Sequence, residues 1–383
     1  MAPYAWAKGK ESRVTATAKT GKSTSEVKSI NTVHGSADDI KYKIGGRLFI
    51  DASYYESDKK KLFSGSELGR ARFNVSGKMY DDWGFKFEFD LGANEVSIKT
   101  AAISYFMHKS ELTMGNHAVP FTLEYLTSSK YISFFTRSLV VEAFKSQRAV
   151  GVSYFTASKN FSFNVGLYGD GADTTKGREP INYAARVSVS PINNEDYLLH
   201  LGASGVHSMK NAKVSFSVPP ETDIANKDLV DTKQIGTAST YTKYGVEFAT
   251  VLGVISLQGE YLMVQVDEKS LGNPSFNGYY FFFSQFLTGE RREYDKGSFE
   301  ETKPNSPLNK GGTGAIEYGL RISDVNLEDP QVHGGKETNL TMGVNWIPVN
   351  NIRFMLNHTW VTSTRQGVID EPSITQVRAQ VSF

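Results

Sequence analysis

Seven arginines lie on stretches where apolar and polar residues alternate: Arg47, Arg70, Arg72, Arg186, Arg321, Arg353 and Arg378. Each takes the polar side of its alternation. Guanidinium groups stay charged and present several donors to an oxyanion. A fold that gathers them on one wall would favour anions over cations. Acids share that side of the pattern: Asp51, Glu88, Asp90, Glu247, Glu260 and Glu317. Some arginines are therefore expected to pair across strands, leaving fewer than half to act on a passing ion. Two further cations, Lys130 and Arg137, fall in a long connection. They either line a narrow place or merely solvate a loop. Enzyme chemistry finds no support. His34, His108, His117, His200, His207, His333 and His358 show no metal-ligand spacing and no H-E-x-x-H. No G-x-S-x-G or phosphate-cradling Gly-rich loop occurs in a strand-to-helix setting. No catalytic residue, metal or cofactor is expected.

The elements that must position these arginines are strands. In the clearest, Phe85, Phe87, Phe89 and Leu91 alternate with Lys86, Glu88 and Asp90. An unbroken apolar face backed by an unbroken charged face needs oil on one side and water on the other. Before it, Leu48, Ile50 and Ala52 oppose Arg47, Asp51 and Ser53, and Ala71, Phe73 and Val75 oppose Arg70, Arg72 and Asn74. Further strands are read at 99–106, 111–117, 147–157, 160–168, 182–190, 197–206, 241–250, 253–264, 276–286, 313–325, 337–346, 351–360 and 374–383. The last ends the chain on Phe383, with Thr375, Val377, Ala379 and Val381 on the same face. A terminal aromatic suits a strand that closes a barrel and anchors in the membrane interface.

That makes about sixteen strands, an even number as single-chain bacterial outer-membrane barrels require. The gaps alternate long and short, as outer loops and inner turns do, except for one long inner connection at 287–312. The fold class expected is all-β: a transmembrane antiparallel barrel over residues 44–383 in the bacterial outer membrane, against lipid and lipopolysaccharide. The third outer connection, 118–146, holds Phe121, Leu123, Tyr125, Tyr131, Ile132, Phe134 and Phe135. So apolar a loop is expected to fold into the lumen and pack on the wall, where it would set the width of the passage.

Composition agrees. Hydrophobic content is 39% and no run approaches the roughly 20 apolar residues of a spanning helix. Glycine (34), tyrosine (19) and phenylalanine (24) are abundant and cysteine is absent. A net charge of +1 gives no global attraction for nucleic acid, so any charge selection must come from placement. Residues 1–43 read as a polar periplasmic arm. Residues 1–7 lack the apolar core of a signal peptide, and Ala5-Trp6-Ala7 is similar to a small-x-small cleavage site. The chain is therefore expected to have lost most of its signal.

Five segments in order resemble the bacterial phosphate-selective porin O and P family: I-G-G-R at 44–47, G-R-A-R-F-N-V-S-G at 69–77, T-S-S-K at 127–130, L-T-G-E-R-R-E-Y with E-T-K-P across 287–304, and G-V-N-W at 343–346. The resemblance implies a sixteen-stranded barrel, usually a homotrimer, with an inward third loop and a ladder of arginines leading to a constriction. It matches cationic positions at Arg47, Arg70, Lys130, Arg137, Arg186, Arg321 and Arg378. It also marks departures. Phosphate-selective members carry two consecutive arginines where this chain has Gly69-Arg70, and a loop lysine where Tyr125 follows Leu123-Glu124. The family's acid ahead of the fourth strand appears here as Lys99. A tyrosine hydroxyl donates one hydrogen bond and cannot replace a cation. The implied function is a passive diffusion porin with mild anion preference or broad permeability to small polar solutes, without phosphate specificity carried over. Two other readings remain open: an adhesin working through the polar 207–240 loop, and a sugar-guiding channel using the third-loop aromatics.

Overall fold

The computed structural model describes residues 40–92, 96–172, 180–209, 214–224, 227–236 and 240–383, and the backbone of 33–37. Most of the expected arm at 1–43, and all of the expected signal end at 1–7, lie outside these residues.

Sixteen long strands form one closed antiparallel sheet. They are β1 (Ile40–Glu56), β2 (Gly65–Met79), β3 (Trp83–Asp90), β4 (Ser97–Met107), β5 (Ser110–Ala118), β6 (Arg148–Ala157), β7 (Phe161–Tyr168) and β8 (Ile181–Asn193). The second half comprises β9 (Tyr197–Met209), β10 (Thr240–Leu252), β11 (Ile255–Asp267), β12 (Ser275–Phe286), β13 (Ala315–Asp329), β14 (Val332–Val349), β15 (Ile352–Arg365) and β16 (Ser373–Ser382). Each pairs with the next, and β16 pairs with β1 from Arg47↔Ser382 to Glu56↔Ser373, so no edge is left between them. The closure uses the chain end itself. Gly46 N–H donates to the Phe383 carbonyl at 2.8 Å and Phe383 N–H returns a bond to Gly46 O at 3.1 Å. A Cβ on Gly46 would stand 2.7 Å from both the Phe383 ring and the Arg72 carbonyl oxygen. That close approach explains a glycine in the first strand. The short strand Val33–Ala37 covers the inner end of β1 that β16 does not reach.

The alternation read from sequence sorts the two faces as expected. Leu48, Ile50 and Tyr54 are exposed while Arg47, Asp51 and Ser53 are buried, and the same split is clear along β8, β14 and β15. Outward aromatics form two belts: Tyr54, Tyr183, Tyr244, Tyr261 and Tyr279 toward the outer loops, and Trp83, Phe161, Tyr197, Trp346 and Phe354 beside the inner turns. Leu, Val, Ile and Phe fill the band between them, a surface made for hydrocarbon bounded by headgroups.

Three expected outer loops need correction. The gap at 325–336 is a hairpin whose strands run to Asp329 and restart at Val332, leaving a two-residue turn. The gap at 361–373 is largely strand too, because β15 continues to Arg365 and Val368–Asp370 folds back on it. Above the membrane both faces of a strand meet water or protein, so the outward apolar residues stop while the pairing continues. The third correction is the 207–240 connection, much of whose described part turns inward rather than standing out into water. Its Val214, Phe216, Val218, Leu229, Val230 and Ile235 are buried, and Ser217–Val218 pairs with Val230–Asp231.

All of these but Leu229, which packs with Tyr55, Leu62, Val361 and Ile374, join a core that lies inside the barrel. The third loop carries two short helices, α1 (Leu123–Leu126) and α2 (Leu139–Phe144). Phe121, Leu139, Val140, Val141 and Phe144 pack on lumen-side residues of β11 to β13, among them Leu262, Val264, Phe276, Tyr280 and Phe282. Phe144 meets Phe216 edge-on at 5.6 Å. The long inner connection also turns inward: Phe299 and Tyr294 pack with Leu123 of the third loop. One side of the lumen is thus filled with protein.

Candidate functional site

The other side holds a cavity of about 1460 Å³ between the third loop and the wall of β1 to β6. Its lining carries eleven Lys and Arg side chains against six Asp and Glu. For a chain of net charge +1 this is a concentrated positive field, made by placement.

The densest part surrounds Glu88. Its carboxylate has Arg47 at 3.1 Å, Arg72 at 3.6 Å, Arg148 at 3.7 Å and Lys86 at 3.9 Å. Even with Asp90 bound to Arg72, two negative charges cannot neutralise four positive ones, so the wall stays cationic. Strand geometry produces the cluster. Arg72 lies across from Arg47 in the β1–β2 register, and Lys86, Glu88 and Asp90 follow on the lumen face of β3. Arg72 also binds Asp90 at 2.7 Å. Arg47 reaches across to the loop, donating to Ser129 Oγ at 3.0 Å.

Lys130 lines the cavity from the loop side. Its ammonium makes no ion pair among the described residues. Burial lowers its pKa to about 8, with Arg47, Lys86 and Lys43 pushing the same way and Glu301 opposing. Tyr125 lines the cavity too, and the Arg137 guanidinium lies 5.1 Å from its ring. Arg137 spends its donors on the loop's own carbonyls, Glu124 at 3.0 Å and Thr127 at 3.1 Å, while one nitrogen stands 4.0 Å from Glu142. Arg70 reaches Asp223 at 3.7 Å.

Six of the nine residues singled out from sequence thus line one cavity: Arg47, Arg70, Arg72, Tyr125, Lys130 and Arg137. Arg186, Arg321 and Arg378 are not among its lining residues. Arg186 pairs with Glu247 at 2.6 Å and donates to Gly297 O of the inner connection at 2.8 Å. Arg321 binds Glu221 at 2.9 Å and the Thr136 carbonyl at 2.9 Å. Arg378 is held by Asp51 at 2.7 Å, donates to Phe135 O at 2.7 Å and is sandwiched between the Phe49 and Phe135 rings. With Arg353, which donates to Lys130 O at 3.3 Å, these wall arginines clasp the backbone of inward segments. Glu260 completes the clasp by accepting from Leu123 N–H at 2.8 Å and Glu124 N–H at 2.7 Å.

Sequence reading missed Lys86, Arg148 and Lys243 as lining cations, and Glu221 and Asp223 as partners from the fifth outer loop. Lys86 could have been found, since it sits on the lumen side of a strand already assigned. Glu221 and Asp223 lie in a stretch with no periodicity and gave no such signal.

The family model for phosphate-selective porin O and P matches residues 42–383. An uncharacterized protein of Caulobacter vibrioides is 27% identical over 361 residues, covering 90% of this chain and 71% of that one. Porin O of Pseudomonas aeruginosa is 24% identical over 353 residues, 80% of each chain. Among solved structures, an anion-selective porin from Comamonas acidovorans aligns with TM-score 0.57 at 14% identity, covering 90% of this chain and all of that one. The trimer form of OmpT from Vibrio cholerae gives TM-score 0.56 at 14% identity with the same coverage. These structures share the closed-barrel fold. With the family match spanning the whole barrel, the chain belongs to the phosphate-selective porin O and P family and is an outer-membrane porin for passive diffusion.

Proposed function

We propose that this porin passes small anions in preference to cations, without strong selection for phosphate. The observation that carries the reading is the cavity lining, with its excess of cations and the single Glu88 among four of them. Arg47, Arg70, Arg72 and Lys130 act on the passing ion, and Tyr125 and Arg137 shape the narrow place. Arg186, Arg321 and Arg378 act indirectly, by fixing the inward segments. Weak phosphate discrimination follows from Tyr125. At that place a dehydrated oxyanion meets a neutral hydroxyl, whereas charge-assisted hydrogen bonds are about twice as strong as neutral ones. Lys130 supplies a cation nearby, but as one point charge.

We infer a homotrimer embedded in lipid and lipopolysaccharide. The support is the trimeric form of a fold neighbour and the apolar outer wall. The deciding experiment is reversal potential across a planar bilayer under a potassium chloride gradient, followed by low concentrations of phosphate. Anion selectivity with little phosphate block is expected. Cation selectivity would overturn the reading, and strong phosphate block would overturn the part that rests on Tyr125.

A further inference from the structure

The fifth outer loop sends one carboxylate into the main cavity. Asp223 is among the lining residues, and its side chain is 33% exposed. The two residues before it are firmly held. Glu221 binds Arg321 at 2.9 Å and accepts from Thr341 Oγ1 at 2.9 Å and from Leu139 N–H at 3.2 Å. Its carbonyl accepts from Gln376 Nε2 at 3.0 Å, and Thr222 Oγ1 lies 2.6 Å from the Tyr55 hydroxyl. The wall and the third loop thus fix the backbone that presents Asp223.

The Asp223 carboxylate itself is held loosely. Its Oδ2 stands 3.7 Å from Arg70 Nη2 and 3.6 Å from Arg378 Nη2, both beyond hydrogen-bond length. Arg378 is already committed, with three bonds at 2.7 Å to Asp51 and the Phe135 carbonyl. Arg70 is in the opposite state. Among the described residues its guanidinium donates no hydrogen bond, and its one ion pair is the loose contact with Asp223. Its side chain lines the cavity and is 20% exposed. A guanidinium with unspent donors beside an open passage is a ready partner for an oxyanion. The fifth loop has set a carboxylate, which offers the same oxygens, next to it.

We propose, on the reading of the cavity as an anion path, that Asp223 is a tethered competitor for Arg70, which an entering anion displaces in order to bind there. Displacement is easy, because partly exposed charges without a hydrogen bond attract each other weakly in water. The displaced carboxylate still stays in the cavity, since its backbone is pinned, and it repels the newcomer. Each anion is therefore held less tightly at Arg70 than the bare guanidinium would hold it. Asp223 adds to Tyr125 in keeping oxyanions moving.

The test uses the purified full chain in a planar bilayer, with inorganic phosphate raised until it halves the chloride current. Asp223→Asn keeps the shape and removes the charge. It should lower the half-blocking concentration about fivefold, which is what one unit charge near 4 Å contributes in water. In an Arg70→Met background the same substitution should change it by less than about twofold, because the contested site is gone. An unchanged half-blocking concentration in Asp223→Asn overturns the proposal. So does an equal shift in both backgrounds, which would make Asp223 a plain lining charge. Where Arg70→Met fails to fold, Asp223→Glu decides. Its charge is the same, and its longer stem brings the carboxylate within hydrogen-bond reach of Arg70. The half-blocking concentration should then rise about twofold, and an unchanged value overturns the proposal. Reversal potential of the parent in potassium chloride alone tests the anion path, whereas the shifts between variants test Asp223, so the two failures are told apart.

Discussion

Lys130 offers the sharpest test of the ion path, because its charge can be removed in two independent ways. With its pKa near 8, the side chain is roughly nine-tenths charged at pH 7 and one-tenth charged at pH 9. The sign is fixed by the direction of titration: a lysine loses positive charge as pH rises, so anion preference should fall. One unit charge at about 4 Å from an ion in water is worth about 1 kcal/mol. It acts with opposite sign on chloride and potassium, which makes about 2 kcal/mol in their ratio at closest approach. Salt near 0.1 M screens beyond about 10 Å, and the remaining lining cations hold most of the field. A fall of roughly threefold in the chloride-to-potassium permeability ratio is therefore expected between pH 7 and pH 9. Lys130→Met should show a lower ratio already at pH 7 and lose most of the further fall between pH 7 and pH 9. Reversal potentials under a potassium chloride gradient measure both. If parent and variant share one ratio at both pH values, Lys130 is not beside the ions and the narrow place lies elsewhere.

Other perturbations address what holds the filter in place. Glu260→Ala leaves the Leu123 and Glu124 N–H groups without their acceptor and should cost roughly 3 kcal/mol, seen as a lower unfolding temperature in detergent and noisier single-channel current. A quiet, equally stable variant would mean that the loop holds without this clasp. Phe144→Ala opens a gap against Phe216 worth about 3–5 kcal/mol, and conductance should rise as the third loop loosens from the fifth. Unchanged conductance would separate packing of that helix from pore width. Gly46→Leu drives a side chain into the Phe383 ring and the Arg72 carbonyl, so the yield of heat-resistant folded barrel should collapse; near-normal assembly would show that the last strand can close in another way.

Much of this architecture was legible because a membrane wall imposes a strict rule on its strands. Phe85, Phe87 and Phe89 facing lipid and Lys86, Glu88 and Asp90 facing the lumen can be assigned from period two alone, and the terminal Phe383 announced closure. The third loop's burial was legible from Phe134 and Phe135, which water would not tolerate in such number. The fifth loop was not. Val214, Phe216 and Val218 are spaced like a strand but isolated among polar residues, and nothing local says which way they turn. The informative signal sat elsewhere. On β11, Leu262, Val264 and Val266 alternate with Tyr261 and Met263, so both faces are apolar. A strand with two apolar faces has protein, not water, on its inner side, and that pattern asks for a cover which the fifth loop supplies. The arginine pairings were half legible: Asp51 with Arg378 follows from strand neighbours, whereas Glu221 with Arg321 depends on a loop.

The filled half of the lumen divides the wall into two territories with different tolerance to change. Substitutions at the half-exposed cavity-facing positions of β1 to β4, such as Lys43, Arg70 and Lys99, meet water and can exchange charge with little effect on folding, so the permeability of this porin can drift there. Substitutions on the inner faces of β11 to β13 meet a close-packed core and are penalised as they would be in a globular protein. One barrel therefore offers a variable surface for adapting to new solutes, braced by a conserved-volume interior that keeps the opening in place while the chemistry around it changes.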